Sequence, residues 1–411
     1  MKSRSPSASS ERVVTLSLPN LHPAQRKIKR EARRFNVLNC GRRFGKDILG
    51  QELLFDTAID GQPAAWFAPT FRMMLDTFRE VARLVQPVAE RTNASDHRIE
   101  LITGGVIDMW SLDAADAARG HKYKRVIINE AAMAPRLEEA WKNVIRPTLA
   151  DLEGDAFFLS TPRGPNFFKQ LYMNGQHGDA PDWKSWTFPT AANPFIKASE
   201  IEAMRLNLTE RAYRQEILAD FIEGQGAVFR NVRAVCTQLQ PDLPDAHAGH
   251  SFVMGVDWGK VNDYTRLRVL CRECMAVVDW DGFNKIDYTF QRERLKLLAE
   301  RWGVSDILAE SNSIGEPNIE ELRRDNLPVR GFKTTAGTKP PLIEALSLAI
   351  QRGDVKLPAE DADELEAYEV RTNANTFAST YSAPDGAHDD RVMADALALW
   401  AATGGGTWWI L

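Results

Sequence analysis

Cysteine is scarce in this chain. Cys40, Cys236, Cys271 and Cys274 are the four cysteines among 411 residues, too few for a disulfide framework. Cys271 and Cys274 form a single CxxC, with no second pair at zinc-finger spacing. Strand-like runs flank it and Arg272-Glu273 fills it, so the expectation there is a β-hairpin. Long apolar runs are missing too. No stretch approaches the roughly 18 apolar residues that a membrane span needs. The opening MKSRSPSASSER lacks the apolar segment of a secretory signal. The reading is a soluble, cytosolic protein. An excess of positive charge is also absent. The net charge of -5 weighs against a nucleic-acid partner, but binding needs only a local basic patch. No internal repeat is visible.

What is present suits a conventional globular protein. Hydrophobic residues make up 44% and charged residues 26%, enough for two or three buried cores. Residues 1–18 read as a disordered segment. Arg26, Lys27, Lys29, Arg30, Arg33 and Arg34 then crowd a helical stretch, as a solvated face or a DNA contact. Strand-like runs at Phe35–Cys40, Ala64–Ala68, Val106–Trp110, Arg125–Asn129 and Phe157–Ser160 alternate with helical segments such as Ile48–Ile59, which implies a parallel sheet with crossovers. The Gly- and Pro-rich stretch 175–250 reads as a domain exit and linker, helical only around Ser199–Ile222. A new pattern starts at Phe252. Three strands (Phe252–Asp257, Arg266–Cys271, Met275–Trp280) form a meander. A helix over 290–302, a strand at Asp306–Ala309 and a final helix over Asp390–Ala402 follow. That order fits an RNase H-like α/β domain with a mixed sheet. The expected domains are 19–224 and 225–411. Trp408-Trp409-Ile410-Leu411 closes the chain as a docking segment or as core.

Gly41-Arg42-Arg43-Phe44-Gly45-Lys46-Asp47 lies between a strand and a helix, where backbone N–H groups and a helix N-terminus can hold phosphates. Gly45 lets the backbone approach, and Lys46 brings a point charge to the β/γ oxygens. Two positions depart from a standard P-loop. Cys40 stands at the first Gly, and Asp47 replaces the Ser or Thr that binds Mg²⁺. The strand Arg125–Asn129 leads into Glu130, a carboxylate able to orient the attacking water. Before it stands Asn129 where Asp is usual. Asp47 adds a carboxylate and Asn129 removes one, so the charge around Mg²⁺ is preserved on this reading.

With these motifs in order, the chain resembles the large-subunit family of tailed-phage terminases. Gly41 to Lys46 is similar to that family's arginine-bearing phosphate loop. Arg119-Gly120 precedes Ile127-Ile128-Asn129-Glu130-Ala131 as the family's pattern does, and Ser160-Thr161-Pro162-Arg163-Gly164 matches its coupling motif. Asn193-Pro194 and Tyr213-Arg214-Gln215-Glu216 also fall into place. The resemblance spans about residues 20–402. It implies an N-terminal P-loop ATPase domain of the ASCE/RecA-like kind with a mainly parallel sheet. Gln25 would read adenine, Lys46 bind phosphate, Glu130 catalyse and Thr161 sense hydrolysis. An arginine finger would come from Arg42 or Arg43 in cis, or from Arg119 reaching a neighbouring subunit.

Acidic residues mark the second half. Asp257 sits on its first strand, Asp263 six residues on, and Glu310 ends another strand. His388-Asp389-Asp390 opens the last helix. Such carboxylates can converge at one sheet edge as hard ligands for two Mg²⁺ or Mn²⁺ ions. Asp257, Glu310 and the Asp389-Asp390 pair match the family's nuclease motifs. Which of Asp389 and Asp390 holds metal stays open, Asp395 supports, and His388 orients a phosphate or merely flanks the helix. The resemblance further implies a ring on the portal protein, double-stranded DNA as substrate, a separate small terminase subunit and work in the host cytoplasm. Outside the ring the chain could be a monomer. Rival readings are a helicase-like translocase, which needs a second RecA-like domain, and a scaffold with a degenerate nucleotide site, which predicts no ATP turnover. An RNase H-like recombinase leaves residues 20–224 unexplained.

Overall fold

Strand β1 (Phe35–Cys40) is buried at every residue, and β2 (Pro63–Ala68), β6 (Arg125–Asn129) and β7 (Asp155–Ser160) are buried beyond their first residue. Continuous apolar strands of this kind fit a parallel sheet covered on both faces. A computed structural model describes residues 18–164, 166–177, 180–222, 226–259, 264–312, 315–372, 379–384 and 387–405. The expectations for residues 1–17, Asp263 and Trp408–Leu411 lie outside the described residues. With β3 (Ala89–Asn93), β4 (Arg98–Leu101), β5 (Val106–Ser111) and β8 (Trp183–Phe188), the first sheet runs β3-β4-β5-β2-β6-β7-β1-β8. Antiparallel pairing is confined to one end of the sheet, where β4 pairs antiparallel with both β3 and β5. Helix α1 (Pro23–Glu31) precedes β1, α2 (Lys46–Ile59) follows it, and α3 (Phe71–Val85) follows β2. Because β7 lies between β1 and β6, the elements carrying Lys46 and Glu130 are two strand spacings apart, about 10 Å.

One expectation is corrected here. The stretch 175–250 is not simply a linker, because β8 pairs in parallel with β1 along the edge of this sheet. The helical reading around Ser199–Ile222 resolves into Ala198–Asn207 and Glu210–Glu216.

The second sheet contains β9 (Phe252–Asp257), β10 (Thr265–Cys271), β11 (Ala276–Phe283), β12 (Asp306–Glu310) and β13 (Val329–Phe332), in the order β11-β10-β9-β12-β13. The first three are antiparallel, while β12 runs parallel to β9 and β13 parallel to β12. This is the RNase H-like mixed sheet. Helix α4 (Tyr288–Trp302) precedes β12, and α5 (Gly315–Arg324) and α6 (Lys339–Arg352) flank β13. The last helix, α7 (Asp390–Ala402), crosses β9 at a glycine. A Cβ on Gly255 would stand 2.3 Å from Ala394 O and from Ala398 N, so only glycine admits the helix there. Arg268 of β10, fully buried, locks α7 to the sheet: its Nε donates to Asp395 at 3.0 Å and its Nη2 to Asp361 at 2.8 Å.

The described chain forms two compact units. One contains the residues up to Glu202 together with Arg211–Ile222, and the other contains Ala203–Glu210 and most of the chain after residue 223. Among the described residues no helix is long and apolar enough to cross a membrane.

Candidate active sites

In the first unit, the loop between β1 and α2 is held from behind by its carbonyls. Thr190 Oγ1 donates to Arg42 O at 2.7 Å and Asn193 Nδ2 to Arg43 O at 2.6 Å. His22 Nε2 bonds Phe44 O at 2.9 Å, and Gln25 Nε2 donates to Gly45 O at 2.7 Å. Four successive carbonyls are taken, and the N–H groups of Gly41, Arg42 and Phe44 donate to the carbonyls of Phe188, Glu216 and Gly41, so what the loop offers a ligand is the N–H groups of Arg43, Gly45 and Lys46, a small anion nest. Gly45, at φ +92°, caps α2, and that left-handed geometry is what glycine permits at no steric cost. Phe44 carries the remaining anchorage. Its ring is fully buried, stacked on Phe188 at 5.2 Å and edge-on to His22 at 5.0 Å. The Phe44 side chain, expected among the cofactor-binding residues, therefore belongs to the core. Gln25, the expected adenine reader, is turned inward. It is 2% exposed, and its Oε1 accepts the His22 N–H at 2.8 Å while its amide nitrogen braces the loop.

Lys46 and Glu130 meet above the end of β7. Lys46 Nζ lies 2.9 Å from Glu130 Oε1, and Ser160 Oγ, from the strand between, stands 3.4 Å from Glu130 Oε2. Burial alone would lower the Lys46 pKa, but the charges of Glu130 and Asp47 and the hydrogen bond to Glu130 outweigh it and hold the ammonium above its ordinary value. Glu130 adopts φ +47°, a conformation that costs a non-glycine residue about 1–3 kcal/mol and gathers at functional positions. Asn129 is buried, and its Oδ1 has no hydrogen-bond partner among the described residues. Asp47 is exposed on the first turn of α2, and Thr161, partly buried, gives its carbonyl to Ser160 Oγ at 2.9 Å. Of the arginine-finger candidates, Arg42 Nε pairs with Glu216, and Arg119 pairs with the neighbouring Asp116 at 2.7 Å. Arg43 is exposed and joins no ion pair with a described residue.

In the second unit, parallel pairing of Val256 with Ala309 puts Asp257 and Glu310 side by side at the ends of β9 and β12. The α7 crossing at Gly255 brings the start of that helix to the same edge. Asp257 and Asp390 are each 6% exposed. Burial pushes the Asp257 carboxyl well above the usual carboxylate range, and the charges of Glu310 and Asp390, a hydrogen bond with Glu310 and the charge of Asp389 push it further. Asp390 Oδ2 accepts the Tyr264 N–H at 2.8 Å, with His388 Nδ1 3.9 Å away. Asp389 is instead paired with Lys339 at 2.9 Å. Asn312 Nδ2 lies 3.3 Å from Glu310 Oε1. The donor set fits a hard divalent cation: it is all oxygen, largely buried, and mutually repelling until positive charge arrives. Asp395, on the same helix as Asp390, is tied to Arg268 at 3.0 Å.

Two family models match the chain. A terminase large-subunit N-terminal model (T4likevirus-type) matches residues 37–233, and a terminase RNaseH-like domain model matches residues 254–402. The large terminase subunit of Thermus virus P23-45 is 26% identical over 92% of this chain and 86% of its own length. That of Escherichia phage T5 is 31% identical over 49% of this chain and 47% of its own length. Among solved structures, the large terminase of a thermophilic bacteriophage aligns over 94% of this chain and 100% of its own, with a TM-score of 0.60 and 13% identity. It is a likeness of fold, and that protein has also been solved with ADP and with ATP-gamma-S.

Proposed function

Since the chain belongs to the large-subunit family of tailed-phage terminases, we propose that it drives viral double-stranded DNA into the procapsid by ATP hydrolysis and cuts that DNA as packaging starts and ends. The observation that carries this reading is the pair of charged centres in one chain. Lys46 meets Glu130 in the first unit, and Asp257, Glu310 and Asp390 crowd one strand edge in the second. The second unit has an RNase H-like sheet, not a second RecA-like domain, which tells against the helicase reading.

In the motor, the loop amides of Arg43, Gly45 and Lys46 cradle the triphosphate, and the Lys46 ammonium neutralises it. A bound triphosphate competes for Lys46 and frees Glu130 to orient the attacking water. Arg43 is the best-placed finger within the chain, because Arg42 and Arg119 are engaged with Glu216 and Asp116. Gln25 braces the loop, and Thr161, following Ser160, carries the state of Glu130 into β7. Mg²⁺ bound here supplies further charge neutralisation. The unpartnered Asn129 Oδ1 and the exposed Asp47 carboxylate fit it as oxygen donors. Their exchanged identities predict a specific result. Asp47→Thr and Asn129→Asp should each slow ATP hydrolysis by about tenfold or more, and the double variant should recover most of the rate. A double variant no faster than the slower single one would end the compensation idea.

In the nuclease, Asp257, Glu310 and Asp390 would hold the cations, with Asp389 restrained by Lys339. Two bound Mg²⁺ or Mn²⁺ ions supply water activation and stabilisation of the leaving oxygen. His388 and Lys339 would meet the phosphate backbone. The domains would be 19–224 and 225–411, working in the host cytoplasm. A ring on the portal and a separate small subunit would complete the machine. DNA contacts would be mainly to phosphate, so translocation should be indifferent to sequence and sensitive to salt.

The test is one purified sample assayed twice. Wild-type protein should show DNA-stimulated ATP hydrolysis and Mn²⁺-dependent plasmid cleavage. Lys46→Ala should abolish the first and spare the second. Loss of both, with an unchanged folded signature, would defeat the two-centre reading.

A further inference from the structure

A second cluster of ligating side chains lies in the RNase H-like unit, at the far end of β9 from Asp257. Antiparallel pairing sets Cys271 beside Phe252, the first residue of β9, and Arg266 beside Asp257, the last. Five residue steps separate the two ends, about 16 Å along the strand. The turn from β10 into β11 carries Cys271 and Cys274, and the segment before β9 carries His247 and His250. His250 Nδ1 lies 3.3 Å from Cys271 Sγ and 3.5 Å from Cys274 Sγ, and His247 Nδ1 lies 3.5 Å from Cys274 Sγ. All four donor atoms fall within 4.8 Å of one another. A tetrahedral zinc ion with Zn–S near 2.3 Å and Zn–N near 2.05 Å has S···N edges of about 3.5 Å.

We propose that His247, His250, Cys271 and Cys274 form a structural zinc site that staples the segment before β9 to the β10–β11 turn. Four protein ligands close the coordination sphere, the mark of a structural rather than a catalytic ion. The surroundings are built for ligation. His247 Nε2 bonds Asp242 Oδ2 at 3.1 Å. The proton therefore sits on Nε2, and the Nδ1 lone pair is left facing the sulfurs, as in carboxylate–histidine–metal arrangements. Trp302 and Phe252 pack on the His247 ring with centroids 5.9 and 6.2 Å away. The Cys274 N–H donates to Cys271 Sγ at 3.4 Å, which holds the two sulfurs on one side of the turn. Met275, at φ +49°, lets the turn close. Glu273, between the cysteines, accepts the Ser251 N–H at 2.9 Å and its hydroxyl at 2.8 Å. Those bonds hold its carboxyl down at about 2 and tie the turn to the histidine segment independently of any metal. The expected hairpin is present. The CxxC on it lacks a second cysteine pair because its partner is His247-Ala248-Gly249-His250.

The full-length chain, expressed with added zinc and purified without chelator, should contain about one zinc per chain by atomic emission. Asp257→Ala should keep that zinc, and Cys274→Ser should lose most of it. Cobalt loaded in place of zinc should give the intense visible bands of a tetrahedral sulfur–nitrogen site, which an all-oxygen carboxylate site does not. In wild-type protein, a zinc chelator should release the metal, expose Cys271 and Cys274 to a chromogenic thiol reagent, and lower the melting temperature. These wild-type readouts stand even if Cys274→Ser fails to fold. Folded wild-type chain that takes up no zinc on reconstitution overturns the proposal. So does zinc that stays in Cys274→Ser and leaves in Asp257→Ala.

Discussion

Replacing Glu130 by glutamine should cut DNA-stimulated ATP hydrolysis by about 1,000-fold, the middle of the range for loss of a general base, while nucleotide affinity changes little. Glutamine keeps the size of the side chain and its reach toward Ser160 Oγ, now 3.4 Å from Glu130 Oε2. It keeps an acceptor for Lys46, at 2.9 Å from Oε1. What it removes is the charge that orients and deprotonates the attacking water. Lys46 also loses the partner that helps hold its ammonium above the ordinary value, yet a bound triphosphate supplies negative charge in exchange. Binding of a fluorescent ATP analogue should therefore survive, and Mn²⁺-dependent plasmid cleavage should equal wild type. Turnover within tenfold of wild type would remove Glu130 from the mechanism. Equal loss of binding would make it a positioning residue for the loop.

The elements that were legible in the chain are those whose signal is local. β1, β6, β7, β9 and α7 are runs of apolar residues long enough to announce themselves, and the acids and the lysine sit at their ends. The mixed second sheet followed from the order of its elements. β8 was missed because Trp183–Phe188 carries no regular apolar period and lies in a Gly- and Pro-rich stretch that resembles a connection. The β3–β4 hairpin was missed because Ala89–Asn93 is largely exposed and carries no apolar period. Side-chain roles set by distant partners were beyond local reading. Lys339, 50 residues away, takes Asp389 and leaves Asp390 facing the cluster. Gln25 and Phe44 turn inward because His22 and Phe188 wait there. The histidine half of the His/Cys cluster was visible as His-x-x-His. It ends 21 residues before Cys271, and a search for a second cysteine pair passes over it.

At the other centre, Asp257→Asn should produce two effects of opposite sign. Plasmid cleavage should fall by at least about 100-fold, since a ligand that holds and places the cations is lost, while ATP hydrolysis continues. Without divalent metal, however, the variant should be more stable than wild type. Asp257 is buried, its charge is disfavoured by that burial, and Glu310 and Asp390 repel it. Asparagine has the same shape and removes the repelled charge. In a unit of this size each kcal/mol gained raises the melting temperature by about 2–4 °C. Adding Mn²⁺ should reverse the order. Wild type gains stability from every cation it binds to the folded state alone, whereas the variant has lost a ligand and gains little. Melting temperatures followed through a Mn²⁺ titration should therefore cross. If wild type is the more stable protein at zero metal, the three carboxylates do not repel as their placement requires. If its melting temperature ignores Mn²⁺ while the variant still fails to cut, Asp257 acts on DNA by some means other than holding a cation.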